Sequence, residues 1–153
     1  MGHIEASKDL NATPDGLWAV VSDPQTWDKW FSIHERWMEE PPAVLAPGAK
    51  LTAKIMMLGM ANKIEWVVES VDSPNKLVLS GTGMAGVKVQ FSFDITPEGE
   101  GSKFSVSGDF EGALIKGALG KAVEKDGLAQ LDKTLAALDA LASAASRVEE
   151  EAR

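Results

Sequence analysis

Val87-Lys88-Val89-Gln90-Phe91-Ser92-Phe93-Asp94-Ile95 alternates apolar and polar side chains without a break. A period of two is the mark of a strand with one buried face. Downstream, Thr96-Pro97-Glu98-Gly99-Glu100-Gly101 reads as a loop. Phe104, Val106, Gly108 and Phe110 then share one face of the next strand. Beyond Glu111 the period lengthens to that of a helix. Leu114, Leu119, Ala122, Val123, Leu128, Leu131, Leu135, Leu138 and Leu141 predict a helix over 115–145, roughly 45 Å long at 1.5 Å per residue. From Ser146 the chain is charged, and 146–153 is expected to fray.

Working back from Val87, three more alternating runs appear. Leu77, Leu79 and Gly81 share a face, as do Ile64, Trp66 and Val68, and Leu51, Ala53, Ile55 and Met57. Ser73-Pro74-Asn75, Gly59 and Pro47-Gly48 mark the turns. A short strand fits within Ile33–Glu40, and Pro41-Pro42 ends it. Such spacing between residues 35 and 111 indicates an antiparallel meander. Near the start, Ile4, Ala6, Lys8 and Leu10 define a strand. Thr13 then offers an N-cap with Pro14 at the first helical position. One short helix carries Leu17, Val20 and Val21, and Ser22-Asp23-Pro24 stops it. A second short helix fits Gln25–Phe31.

The expected fold is α+β. A curved antiparallel sheet of about seven strands wraps a long C-terminal helix, and two short helices follow the first strand. Sheet and helix need not touch everywhere, so an apolar cavity is expected between them. No linker or repeat divides the 153 residues, which read as one domain, 1–153.

Composition removes several functions. The chain has no cysteine, which excludes disulfides, thiolate nucleophiles and cysteine-held metals. It has no tyrosine and only two histidines, His3 and His34. A histidine-built zinc site is therefore not expected, nor any other metal or cofactor. The net charge of −8 disfavours nucleic-acid binding. No signal segment and no apolar run of about 20 residues is present, so integral membrane association is not expected and a cytoplasmic location is.

Trp18-x-x-x-Ser22-Asp23-Pro24-x-x-Trp27-x-x-Trp30 resembles the amino-terminal signature of the START-like, or SRPBCC, helix-grip superfamily. Its polyketide cyclase/dehydrase branch is the nearest in pattern. Pro41, Gly48, the Ser73–Leu77 turn and the closing helix sit where that family has theirs, and the resemblance covers residues 3–145. The stretches 30–37, 59–66 and 81–89 are similar to a bacterial SRPBCC branch described as the toxin of type II toxin–antitoxin pairs. That resemblance implies an antitoxin partner.

Several residues are candidates for chemistry. Trp30, Trp37 and Trp66 are either core or the wall of a pocket for an apolar ligand. Ile55, Met57 and Met84 belong to a methionine-rich group that could adapt to varied apolar shapes. The strand faces add Leu79, Val89, Phe91, Phe93, Val106 and Phe110, and the helix adds Leu128, Leu131 and Leu135. His34, in His34-Glu35-Arg36, is the acid–base candidate for a catalytic role; the alternative is a structural histidine at a sheet edge. Lys8 either reaches into the pocket or extends to water. Gly81-Thr82-Gly83-Met84-Ala85-Gly86 lies between strands and lacks a following Lys-Ser/Thr, so nucleotide binding is rejected. Gly112, Gly117, Gly120 and Gly127 either loosen the helix start into a gate over 110–122 or let the helix approach the sheet. The preferred reading is binding of a small hydrophobic molecule: a lipid, a polyketide-like compound or another aromatic. A cyclase/dehydrase-type enzyme and an antitoxin-regulated toxin are the alternatives.

Overall fold

The computed structural model describes residues 2–42, 44–57, 60–83, 86–112 and 117–151. Strand β1 (Gly2–Leu10) leads to helix α1 (Pro14–Val21), a 3-10 turn (Pro24–Thr26) and helix α2 (Trp27–Trp30). Six strands follow: β2 (His34–Trp37), β3 (Lys50–Met57), β4 (Met60–Asp72), β5 (Lys76–Thr82), β6 (Lys88–Glu98) and β7 (Gly101–Glu111). Helix α3 (Gly117–Glu151) closes the described chain. The sheet order is β1-β7-β6-β5-β4-β3-β2, and every pair is antiparallel. The short helices carry the chain from one sheet edge to the other. The meander then brings β7 back beside β1.

The tryptophan signature has a local physical cause. Thr13 caps α1 by accepting from the Gly16 N–H at 3.2 Å. At the other end, Ser22 Oγ donates to the Trp18 carbonyl at 2.7 Å. Asp23 accepts from the Gln25 N–H at 3.1 Å, which starts the next turn at Pro24. Thr26 Oγ1 donates to the Val20 carbonyl at 2.7 Å and accepts from Trp30 Nε1 at 3.0 Å. Trp27 Nε1 donates to the Val21 carbonyl at 3.0 Å, and Trp37 Nε1 to the Pro24 carbonyl at 2.9 Å. The residues between Trp18 and Trp30 thus form a hydrogen-bonded corner that presents buried indoles to the sheet.

Three boundaries differ from the periodicity. Strand β2 ends at Trp37, with a bulge between His34 and Arg36. The stretch Thr96–Gly101, expected as a loop, is a tight hairpin. Pro97 pairs with Ser102 and Glu98 with Gly101, which leaves only Gly99 and Glu100 to turn. Gly99 adopts φ 59°, a conformation most side chains resist. Helix α3 continues past the expected end at 145 to Glu151, through residues that are good helix formers.

The core lies between the concave face of the sheet, α1, α2 and α3. Phe91 stacks near-parallel with Phe93, and Phe93 with Phe104, at centroid distances of 6.2 and 6.1 Å. Phe31, from the α2–β2 connection, meets Phe91 and Phe93 edge-on at 5.6 Å. Offset and edge-to-face pairs of this kind add about 0.5–1.5 kcal/mol each beyond area burial. Ser102 on β7 carries a buried hydroxyl, which donates to the Ala12 carbonyl at 2.8 Å.

Candidate functional site

The concave face gathers most of the expected binding residues. Trp30, Ile55, Trp66, Leu79, Val89 and Phe91 are buried in one cluster. So are Phe93, Val106, Phe110, Leu131 and Leu135, and Trp37 packs partly buried against it. Leu128 does not join them: it is 44 % exposed. Gly127 takes the inward position one residue earlier, and the buried face of α3 runs on through Leu131, Thr134 and Leu138. Met84 and the Met57 side chain lie outside the described residues, as does part of the expected gate over 110–122. Lys8 is exposed although its register partner is the fully buried Phe104, so its stem leaves the apolar face for water.

A cavity between sheet and α3 is lined by Ile4, Phe31, Ile33, Phe91, Phe110, Gly127, Gln130, Leu131 and Thr134. Its volume of ≈ 10 Å³ suits about one water molecule. Of these nine, only Phe91, Phe110 and Leu131 were expected as binding residues; Ile4, Phe31, Ile33, Gly127, Gln130 and Thr134 were not. A strict i, i+4, i+7 count from Gly127 would have found Leu131 and Thr134. Phe31 and Ile33 lie in a connection that has no period to read.

One polar group of residues borders the cavity. The Ser32 N–H donates to Thr134 Oγ1 at 3.1 Å. Ser32 Oγ lies 2.7 Å from the Gln130 carbonyl and 2.8 Å from Gln130 Oε1. These bonds fasten the α2–β2 connection to α3. Gly127 lets the helix come close to β1, since a Cβ built there would stand 2.8 Å from Ile4 Cδ1.

His34 is the first residue of β2 and is 5 % exposed. Its ring lies 4.5 Å from that of Trp37 and edge-on to Trp27 at 6.2 Å. Neither ring nitrogen has a hydrogen-bond partner among the described residues. Burial pushes its pKa down from 6.5 to about 4, against a weaker upward pull from Asp28. The imidazole is therefore neutral at ordinary pH. Trp66 Nε1 is likewise buried without a partner among the described residues. No group of three or more His, Cys, Asp or Glu suited to a metal ion occurs among the described residues. His3, by contrast, lies on the exposed face. It is hydrogen-bonded to Asp109 at 2.6 Å and Glu5 at 3.2 Å, which raises its pKa. No helix among the described residues is long and apolar enough to cross a membrane.

Comparison with known proteins adds to this geometry. The profile of the polyketide cyclase / dehydrase and lipid transport family matches residues 1–143. Toxin Rv0910 of Mycobacterium tuberculosis is 29% identical over 123 residues, 80% of this chain and 85% of that one. Protein Rv1546 of the same species is 28% identical over 135 residues, 88% of this chain and 94% of its own. A START superfamily protein from Mycobacterium smegmatis superposes with a TM-score of 0.72 at 18% identity, over 88% of this chain and 94% of the other. That likeness establishes the START-like fold.

Proposed function

Because this chain belongs to the polyketide cyclase / dehydrase and lipid transport family, we propose that it binds a small hydrophobic molecule between the sheet and α3. The observation that carries this reading is the aromatic interior facing α3, where a cavity opens among Ile4, Phe91, Phe110 and Leu131. Ligand sites commonly occupy about 300–1,000 Å³, and the ≈ 10 Å³ found here is far smaller. Binding therefore requires α3 to move away from the sheet, against the Ser32–Gln130–Thr134 hydrogen bonds.

Binding is favoured over turnover. An acid–base catalyst works best with a pKa near the operating pH, whereas His34 is held at about 4. Among the described residues no carboxylate or carbonyl accepts from its ring to fix the tautomer. Titration with a panel of hydrophobic aromatics tests the reading. The expected result is quenching of tryptophan emission and chemical-shift changes on both α3 and the concave strands. No response to any compound would overturn it. His34→Ala tests the enzyme alternative, which requires this variant to lose turnover while retaining binding.

The likeness to toxin Rv0910 favours a second reading, in which the chain also works with an antitoxin protein. Co-expression with a short open reading frame adjacent to its gene, followed by size-exclusion chromatography, tests it. A stable complex is expected; two separate elution peaks would refute it.

A further inference from the structure

The binding reading leaves the chemistry of the ligand open, and the buried side chains of Trp66 and His34 narrow it. Trp27, Trp30 and Trp37 satisfy their indole N–H groups, on the Val21 carbonyl, Thr26 Oγ1 and the Pro24 carbonyl respectively. Trp66 finds no partner among the described residues, although its side chain is fully buried. An unpaired buried donor forfeits its bond to water and gains nothing in exchange.

The position of Trp66 is set by its neighbours. It pairs with Leu51 on β3 and with Gly81 on β5. A Cβ at Gly81 would stand 2.7 Å from Trp66 Cε3 and 2.8 Å from Cζ3, so the benzene edge of the indole lies over the glycine. Nε1 is on the opposite edge of the ring. The N–H is therefore directed away from Gly81. Gly81 pairs in turn with Val89, one rung from the last β5–β6 pair, Thr82 with Lys88. Val89 keeps a trace of solvent contact, and Phe91, 5.8 Å from the Trp66 ring, also lines the cavity. Trp66 thus packs directly behind Phe91, a residue of the cavity wall.

We propose that the ligand is an uncharged, largely apolar molecule carrying a hydrogen-bond acceptor, such as a carbonyl oxygen, that pairs with Trp66 Nε1–H. The inference rests on the hydrophobic-ligand reading above. An indole N–H can only donate, so its partner must accept. The interior offers nothing to neutralise an ion: the only buried polar or charged residues are His34, Ser102 and Thr134 among those described. His34 is uncharged at neutral pH, and an unpaired buried carboxylate or ammonium would be strongly disfavoured. Fatty-acid anions and amines are therefore poor ligands, while neutral ketones and related molecules are good ones.

Three probes of one shape test this: acetylnaphthalene, isopropenylnaphthalene, which replaces the carbonyl oxygen with a methylene, and naphthoate. Wild-type protein should bind the ketone roughly tenfold more tightly than the alkene, and naphthoate most weakly. In nitrogen-15 correlation spectra the Trp66 indole signal should move downfield with the ketone and not with the alkene. Trp66→Phe should bring the ketone-to-alkene ratio close to one. The spectra of the wild type carry the test if that variant does not fold. Equal affinity for ketone and alkene, with no distinct indole shift, overturns the Trp66 assignment and leaves the cavity reading intact. Naphthoate binding more tightly than the ketone overturns the requirement for neutrality. Failure of all three to bind overturns the hydrophobic-ligand reading and this inference with it.

Discussion

Acidification should destabilise this protein through His34. The folded-state pKa is lowered to about 4 from the ordinary 6.5 because the ring is buried. Between those values the unfolded chain binds a proton that the folded chain refuses, so stability falls as pH falls and is fully present above 6.5. The whole gap corresponds to about 3 kcal/mol, of which about 2 kcal/mol is lost between pH 7 and pH 5. That upper interval lies above most carboxylate titrations. His3 acts in the opposite sense, since its hydrogen bonds to Asp109 and Glu5 raise its pKa; that contribution is lost as pH rises. Comparing wild type with His34→Phe cancels His3 and the carboxylates. Urea unfolding followed by tryptophan emission, at pH 7 and pH 5, measures the difference. The wild type should lose about 2 kcal/mol more than the variant, roughly a 1 M difference in midpoint shift. Parallel losses in the two proteins would show that His34 gains a proton as readily folded as unfolded, and would refute the argument from burial.

Substitutions at close approaches give further checks. Gly81→Ala places a Cβ 2.7 Å from Ile64 Cδ1 and Trp66 Cε3, and should cost about 1–3 kcal/mol by overpacking, read as a lowered Tm. Gly127→Ala meets Ile4 Cδ1 at 2.8 Å; its Tm should also fall, and adding Ile4→Val, which removes that methyl, should restore most of the loss. Thr134→Val leaves the Ser32 N–H without its acceptor and should cost about 1–3 kcal/mol, with faster amide exchange at Ser32. A chelator should leave Tm and probe affinity unchanged.

The likeness to mycobacterial proteins spans most of the chain at under 30% identity. Identity that low is compatible with one fold and several ligands, because ligand choice depends on a few interior groups rather than on the strand pattern. Trp66 and His34 are such groups here. They stand out because the other buried side chains among the described residues are satisfied or apolar.

Strand faces, helix periods and the tryptophan corner were legible in the sequence, because each depends on residues near one another in the chain. Alternation assigned Val89, Phe91 and Phe93 to one side of β6 whatever lay opposite. Thr13, Ser22 and Asp23 similarly declared the helix ends through bonds spanning a few residues. The tertiary structure decided what those faces meet. Leu128 and Gly127 are adjacent in the chain, and only the approach of α3 to Ile4 determines that the glycine faces inward and the leucine outward. Ser32 meets Gln130 and Thr134 across about a hundred residues. The unpaired nitrogens of His34 and Trp66 are likewise invisible in sequence: whether a polar atom has a partner depends on every neighbour in space, whereas a period records only which way a side chain points.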